Sequence, residues 1–244
     1  MRAALCLLPL VSGILFAQGT QFDVLIAGAK VVDGSGGSWF YADIGIRGDT
    51  IAAVGLLGSA NAAVRIDARG MAVAPGFIDI HSHGRRGIFT VPTAENYLRE
   101  GVTTIVEGPD GSSPIPLGPF LDRVRQTPIS INFASFAGQG SIRAEVMGLV
   151  NRKATPEEIE KMKQLAAEAM RDGAFGLSTG LFYVPGNFTP TEEVIEIAKV
   201  VGRMGGIHTK GAGPPSVYAV TCRAPVWRPL PIRLPGLCRC TVRK

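Results

Sequence analysis

Between Gly76 and Lys210, five short apolar runs alternate with segments that carry helix start and stop signals. In chain order, the runs are GFIDIHSH, VTTIVEG, ISINFASFAG, AFGLSTGLF and GIHT. Strands that alternate with helices in this way favour βαβ units and a parallel sheet. Four βα units are complete and a fifth begins, whereas a closed (β/α)8 barrel needs eight. The pattern predicts an α/β fold, a partial (β/α)8 TIM-type barrel of about four to five βα units.

The helix signals are residues that cap helix ends. Thr155, Pro156 and Glu158 have the spacing of a capping box with proline at the first helical position, and Gly173 is a C-terminal stop. The next long helix is predicted to repeat this device with Thr189, Pro190, Glu192 and Gly205. A shorter helix is predicted between Thr93, a candidate cap, and Gly101. These helices would connect the strands of residues 75–209, the first half of a barrel.

The segment 22–74 has a different pattern. Short β-branched runs are broken by Gly, Asp and Asn, and GSGG at 34–37 reads as a turn. No helical pattern follows that turn, so it does not resemble a phosphate-binding loop. We expect residues 22–74 to form a small N-terminal β-sandwich segment.

The two ends of the chain differ from the part between them. Arg2 precedes an apolar stretch at 3–16 that is too short to span a bilayer comfortably, which predicts a signal peptide over 1–17 and export to the periplasm or beyond. Residues 210–244 are rich in proline and basic residues and contain no carboxylate. This composition favours a shifted reading frame over a natural basic tail.

The net charge of +5 does not indicate a nucleic-acid-binding protein. Of the 25 basic residues, six lie after Gly211, which leaves 19 against the 20 acidic residues of the chain. The rest of the molecule is therefore close to neutral, without the basic surface that nucleic acid requires. After signal cleavage, we expect no membrane association either.

Two of the three histidines, His81 and His83, lie at the end of the first apolar run. Residues two apart in a strand point to the same face, roughly 7 Å apart between Cα atoms, so two imidazoles can converge on one metal ion. The C-terminal ends of parallel barrel strands carry the active site. Zn²⁺ accepts imidazole nitrogens, and its bound water can attack a carbonyl near neutral pH. The alternative is a pair of histidines satisfied by hydrogen bonds.

Several segments resemble the N-acyl-D-amino-acid deacylase (D-aminoacylase) group of the amidohydrolase superfamily. They are PGFIDIHSHG, YLREGVTTIVEGPDG, NFASFAGQGSIRAEVMG, GAFGLSTGLFYVPG and VVGRMGGIHT, in this order. The resemblance implies a (β/α)8 barrel with a small β-sandwich built from both chain ends. It also implies a zinc-dependent hydrolase acting on C–N bonds other than peptide bonds, with a small N-acyl amino acid as substrate.

The resemblance assigns roles to individual residues. His81 and His83 match the first two metal ligands of the family. Asp110 stands where the family has a cysteine ligand, and Glu107, at the end of the same strand, is a rival ligand. Their structural alternatives are a turn residue for Asp110 and a salt bridge for Glu107. Tyr183 matches a position near the substrate, although it could equally pack against its own loop.

The resemblance breaks at the fifth strand. His208 falls on an aromatic position of the family, and Gly211 stands where a third histidine ligand is expected. A fourth histidine and the general-base aspartate belong to later strands, so no catalytic residue is assigned, and we expect the chain as written to be inactive.

Two further functions stay open beside the deacylase. One is another amidohydrolase, such as a dihydropyrimidinase-like cyclic amidase or an isoaspartyl dipeptidase-like enzyme. The fourth strand, GAFGLSTGL, lacks the lysine that bridges two metals in such enzymes, which favours the deacylase. The other is a non-catalytic secreted fragment with a basic tail.

Overall fold

The computed structural model describes residues 21–211. The predicted signal peptide at 1–17 and the predicted non-family tail beyond residue 211 lie outside the described residues. The described chain divides into two compact units, residues 21–75 and residues 76–211. None of the described helices is long and apolar enough to span a membrane.

Residues 21–75 form one five-stranded sheet. Its strands are β1 (Phe22–Val31), β2 (Phe40–Arg47), β3 (Thr50–Gly55), β4 (Ala62–Asp67) and β5 (Ala72–Val73). The order is β3-β2-β1-β4, with β5 also paired to β1. Neighbours β1, β2 and β3 are antiparallel, whereas β4 and β5 run parallel to β1. Ala29, Val31, Ala42, Ile44 and Ala68 form the core of the unit.

Residues 76–211 alternate between strands and helices, which makes this unit a mixed α/β structure. The strands are β6 (Phe77–Ser82), β7 (Val102–Glu107), β8 (Asn132–Ser135), β9 (Ala137–Gly138), β10 (Gly176–Thr179) and β11 (Ile207–Lys210). The helices are α1 (Glu95–Arg99), α2 (Gly118–Gln126), α3 (Gln139–Met147), α4 (Pro156–Asp172) and α5 (Thr191–Arg203). Two short 3-10 turns lie at Gly87–Phe89 and Gly186–Phe188.

The six strands of this unit form two parallel sheets, β6-β7-β8 and β9-β10-β11. The apolar run ISINFASFAG supplies strands to both, because Phe136 separates β8 from β9. The chain thus passes directly from one sheet to the next. At the outer edge, β6 is paired with β7 alone among the described strands, and Phe77, Ile78 and Ile80 are each more than 60% exposed.

Helices α4 and α5 pack over the second sheet. The buried residues that join them are apolar and include Met162, Ala166, Leu177, Ile197 and Val201. One buried ion pair links α3 to α5: the Arg143 guanidinium donates to the Glu193 carboxylate, and both side chains are almost fully inaccessible. Breaking such a pair by removing one partner leaves an uncompensated buried charge, which costs about 3–5 kcal/mol.

The predicted capping box of α4 is confirmed. The Thr155 hydroxyl accepts a hydrogen bond from the Glu158 amide, the Glu158 carboxylate accepts one from the Thr155 amide, and Gly173 ends the helix in the left-handed region. Arg152 donates two further hydrogen bonds of 2.7 Å to Glu158. The Arg152 guanidinium and the Thr155 amide lower the pKa of Glu158 to about 2.

Two other predicted caps were wrong, and one helix was missed. Ala94, in a left-handed conformation, precedes α1, so Thr93 is not its cap. Pro190 precedes α5, and the Thr189 hydroxyl instead accepts a hydrogen bond of 3.1 Å from the side-chain Nε2 of Gln139. Helix α3 was not predicted because it begins after Gly138 without a capping side chain.

We expect the capping box to make stability depend on acid pH. Glu158 has a lower pKa in the folded chain, so its contribution is complete above the unfolded value of about 4.5 and is lost as the pH falls towards about 2. Urea unfolding of Glu158→Gln at several pH values should show a weaker acid dependence than the parent chain. Thr155→Ala should cost about 1 kcal/mol at pH 7.

The matched control for this prediction is Glu160→Gln. Glu160 lies in the same helix but pairs with Lys163, away from the cap. If Glu158→Gln and Glu160→Gln change the acid dependence equally, the capping box is not its source.

Candidate metal centre

Three side chains that can bind a metal converge beyond the ends of β6 and β7. They are His81, His83 and Asp110, and one ligand atom from each lies within 4.8 Å of the others. The Nε2 atoms of His81 and His83 lie 3.4 and 3.3 Å from Asp110 Oδ2. The two rings are more than half exposed, whereas Asp110 is largely buried. The group is therefore open to solvent on the histidine side.

These distances fit a metal ion better than direct hydrogen bonds. A charge-assisted N–H···O bond between histidine and carboxylate is about 2.7–2.9 Å long. Two ligands that each lie about 2.0–2.1 Å from a tetrahedral zinc are about 3.4 Å apart. The observed Nε2–Oδ2 separations of 3.3 and 3.4 Å match the second arrangement. The donor set, two imidazoles and one carboxylate, is also one that zinc accepts and that leaves a coordination position open.

The strand geometry of β6 places both histidines on one side. His81 and His83 are exposed, whereas Ser82 between them is buried, as the alternation of a strand requires. The Ser82 hydroxyl lies 2.9 Å from the Tyr97 hydroxyl and accepts a hydrogen bond from the Gly84 amide. Asp79 accepts a hydrogen bond of 2.9 Å from the His81 amide. The backbone that carries the imidazoles is thus anchored by Ser82 on the opposite face and by Asp79 just before it.

Asp110 reaches the histidines because its loop lies directly on the second sheet. A Cβ atom at Gly180 would overlap the Asp110 carbonyl, and one at Gly138 would collide with the backbone of Gly111. The Gly111 amide also donates a hydrogen bond of 3.1 Å to the Ser178 hydroxyl. Only glycine at these strand ends permits the approach. Sequence reasoning missed this role, although each glycine follows an apolar strand run.

Glu107 lies outside the group of three. Its carboxylate is almost completely buried and accepts hydrogen bonds from the amides of Arg85, at 2.7 Å, and Gly108, at 3.1 Å. Burial raises the pKa of Glu107, and these two hydrogen bonds oppose the shift. In this arrangement Glu107 holds the backbone that follows His83.

Arg85 connects the histidine loop to the loop of Asp110. While its amide is held by Glu107, its guanidinium donates to the carbonyl and the hydroxyl of Ser112, at 2.8 and 3.0 Å. Both loops that carry the candidate ligands are therefore tied together by one residue. No sequence signal marked Arg85, because the contact joins residues 27 positions apart.

The remaining candidates lie around Asp110. Tyr183 is 48% exposed, packs edge-to-face on Phe182, and covers Gly180. His208 points elsewhere: its Nε2 lies 3.1 Å from the Thr179 hydroxyl, and burial lowers the pKa of its ring. Gly211 is the expected position of a third histidine, and a Cβ atom there would lie in contact with Asp110 Oδ1. Position 211 thus faces the candidate metal centre.

Comparisons with known proteins show which proteins this chain resembles. No family model matches the chain. It is 40% identical over 215 residues to the D-aminoacylase of Alcaligenes xylosoxydans xylosoxydans, covering 79% of this chain and 44% of that protein. A D-aminoacylase structure studied for its binuclear metal centre has a TM-score of 0.72 at 37% identity, covering 77% of this chain and 44% of that chain.

A third relative was solved with its ligands. It is the N-acyl-D-glutamate deacylase of Bordetella bronchiseptica, complexed with zinc and a phosphonate inhibitor that mimics the tetrahedral intermediate. Its TM-score is 0.74 at 30% identity, covering 78% of this chain and 44% of that chain. This chain thus spans less than half the length of the relatives it matches. The shared sequence and fold confirm the resemblance, and the chain belongs to the N-acyl-D-amino-acid deacylase (D-aminoacylase) family of amidohydrolases.

Proposed function

We propose that the protein is a zinc-dependent deacylase, which hydrolyses the amide C–N bond of N-acyl-D-amino acids, and that His81, His83 and Asp110 hold its metal. The observation that carries this proposal is the pair of Nε2–Oδ2 separations, 3.4 and 3.3 Å, which suits ligands of one zinc ion. In further support, the relatives include a D-aminoacylase and a deacylase solved with zinc. The region of this chain that matches them includes His81, His83 and Asp110.

Different residues of the chain would bind the metal, position the loops and contact the substrate. A zinc ion bound here supplies Lewis acidity towards an amide carbonyl and lowers the pKa of water. His81 and His83 approach from the exposed side, while Asp110 contributes the negative charge from the buried side. Arg85 and Glu107 keep the two loops at a fixed separation. The Tyr183 hydroxyl is available to a substrate carboxylate or carbonyl.

We infer that residues 75–209 are the first half of a (β/α)8 barrel and that residues 22–74 contribute to a β-sandwich. In support, the strands of residues 76–211 are all parallel to their neighbours, and the candidate ligands lie at the C-terminal ends of β6 and β7. Export to the periplasm or beyond, directed by residues 1–17, is part of the same proposal, as is a small-molecule N-acyl amino acid as the substrate.

The metal site is tested by zinc content. His81→Ala, His83→Ala and Asp110→Ala are each expected to weaken zinc affinity at least about 100-fold, because each removes one protein ligand. Affinity is measured by competition with a chromogenic chelator, and bound zinc by elemental analysis. His208→Asn is the matched control, since His208 contacts Thr179 and not the group of three. Equal zinc content in all four variants would exclude the site.

The close approach of the Asp110 loop gives a second test. Gly180→Ala is expected to push the Asp110 backbone away and weaken zinc affinity by about 10–100-fold while the chain stays folded. Gly58→Ala is the control, because a Cβ there meets no atom within 4 Å. Circular dichroism verifies the fold of both variants. A folded Gly180→Ala chain with unchanged zinc affinity would contradict this positioning of Asp110.

Hydrolysis of N-acetyl-D- and N-acetyl-L-amino acids tests the activity itself, with the released amine as the readout. A polypeptide that continues after Lys210 as the relatives do is expected to hydrolyse the D-enantiomers, and to lose this activity on chelation or in His81→Ala. Turnover that survives thorough chelation would rule out the metal-dependent mechanism.

A further inference from the structure

A cavity of about 420 Å³ lies in the second unit, between the segment after β6 and helix α2. Its walls include three arginines, Arg85, Arg86 and Arg123, and two aromatic residues, Phe89 and Phe120. We call it the arginine cavity. None of its lining residues is His81, His83 or Asp110, so it is a different place from the candidate metal centre.

The charge of the arginine cavity is only partly compensated within the described residues, since the buried Glu107 carboxylate interacts electrostatically with Arg85 but not with Arg86 or Arg123. No carboxylate lines it. Asp122, the neighbour of Arg123 in α2, pairs with Arg125 instead, and neither Arg86 nor Arg123 forms a salt bridge within the described residues. The Arg85 guanidinium is held by two hydrogen bonds to Ser112, an uncharged partner. Three cations around one open cavity attract an anion, and guanidinium groups suit carboxylate and phosphate in particular.

Two of the residues that line the cavity are aromatic. Phe89 and Phe120 meet edge-to-face with ring centroids 5.7 Å apart. The Arg123 guanidinium carbon lies 3.9 Å from the centroid of Phe89, stacked on its face. This contact attracts the cation to the ring and holds the Arg123 side chain beside it. A ligand that offers only charge would leave exposed the part of the two rings that Arg123 does not cover, whereas a ligand with an apolar group would cover it.

We propose that the arginine cavity binds a small organic anion in which a carboxylate or phosphate is joined to an aromatic or branched aliphatic group. The guanidinium groups hold the anionic end, and Phe89 and Phe120 hold the apolar end. The volume lies within the range of about 300–1,000 Å³ that small-molecule sites occupy. This inference does not depend on zinc or on deacylase activity.

The test is calorimetric titration of the full chain with phenyl phosphate, and with inorganic phosphate for comparison. Phenyl phosphate is expected to bind in one-to-one stoichiometry and more tightly than inorganic phosphate. Arg123→Gln is expected to weaken phenyl phosphate binding about tenfold, the loss of one charge-assisted contact. Arg86→Gln, on an exposed residue, is the second variant and is expected to act in the same direction.

Arg125→Gln is the matched control, since it removes the same charge from the same helix but Arg125 does not line the cavity. It should bind phenyl phosphate as the parent chain does. Equal weakening by Arg125→Gln and Arg123→Gln would reveal a general charge effect and overturn the proposal. No binding to the parent chain at millimolar concentration, or equal affinity for the two phosphates, would also overturn it.

A last comparison separates the cavity from the candidate metal centre. The double variant His81→Ala/His83→Ala should retain phenyl phosphate binding. Loss of binding in this variant would assign the anion to the histidines and refute the arginine cavity as its site, whatever the outcome for zinc.

Discussion

The close approach of the Asp110 loop to the ends of β9 and β10 is the contact on which the candidate metal centre depends. Gly111, Gly138 and Gly180 bring backbone against backbone there, with no room for a side chain between them. Because Asp110 lies inside this contact, its carboxylate is placed by the packing of two sheets and not by its own short loop. The exposed histidines, by contrast, are placed by one strand.

The loop that follows His83 and the loop that carries Asp110 are joined by Arg85. Arg85 contributes its amide to Glu107 and its guanidinium to Ser112. A buried carboxylate is costly unless it accepts hydrogen bonds, and Glu107 satisfies this need with two backbone amides. The same contacts hold the chain that follows His83. Glu107 thus has a structural role in the histidine loop, and Asp110 lies within 3.4 Å of both imidazoles.

Sequence reasoning reached the parts of the fold that local patterns determine. The alternation of apolar runs and caps predicted β6, β7, β10 and β11, and the capping box of Thr155 is present as expected. The spacing of His81 and His83 predicted that their side chains share a face. These features depend on residues within one turn or one strand of each other, so the sequence contains all the information they need.

What the sequence could not determine depends on contacts between distant residues. The different surroundings of Glu107 and Asp110, one bound to the amide of Arg85 and the other beside the two imidazoles, come from such contacts. The role of Gly180 becomes visible only when the carbonyl of Asp110 lies against it. Likewise, Thr189 has the residue type of a helix cap, but its hydroxyl is bound to Gln139, 50 positions away. Local propensity was overruled there by tertiary contacts.

The unpaired edge of β6 has a consequence for the behaviour of this chain in solution. Within the described residues, this strand exposes Phe77, Ile78 and Ile80 along a free row of backbone donors and acceptors, an arrangement that recruits strands from other molecules. The same strand carries His81. A neighbouring copy that added itself to this edge would restrict the space in which the imidazole can turn. If such pairing occurs, metal occupancy would depend on protein concentration through β6.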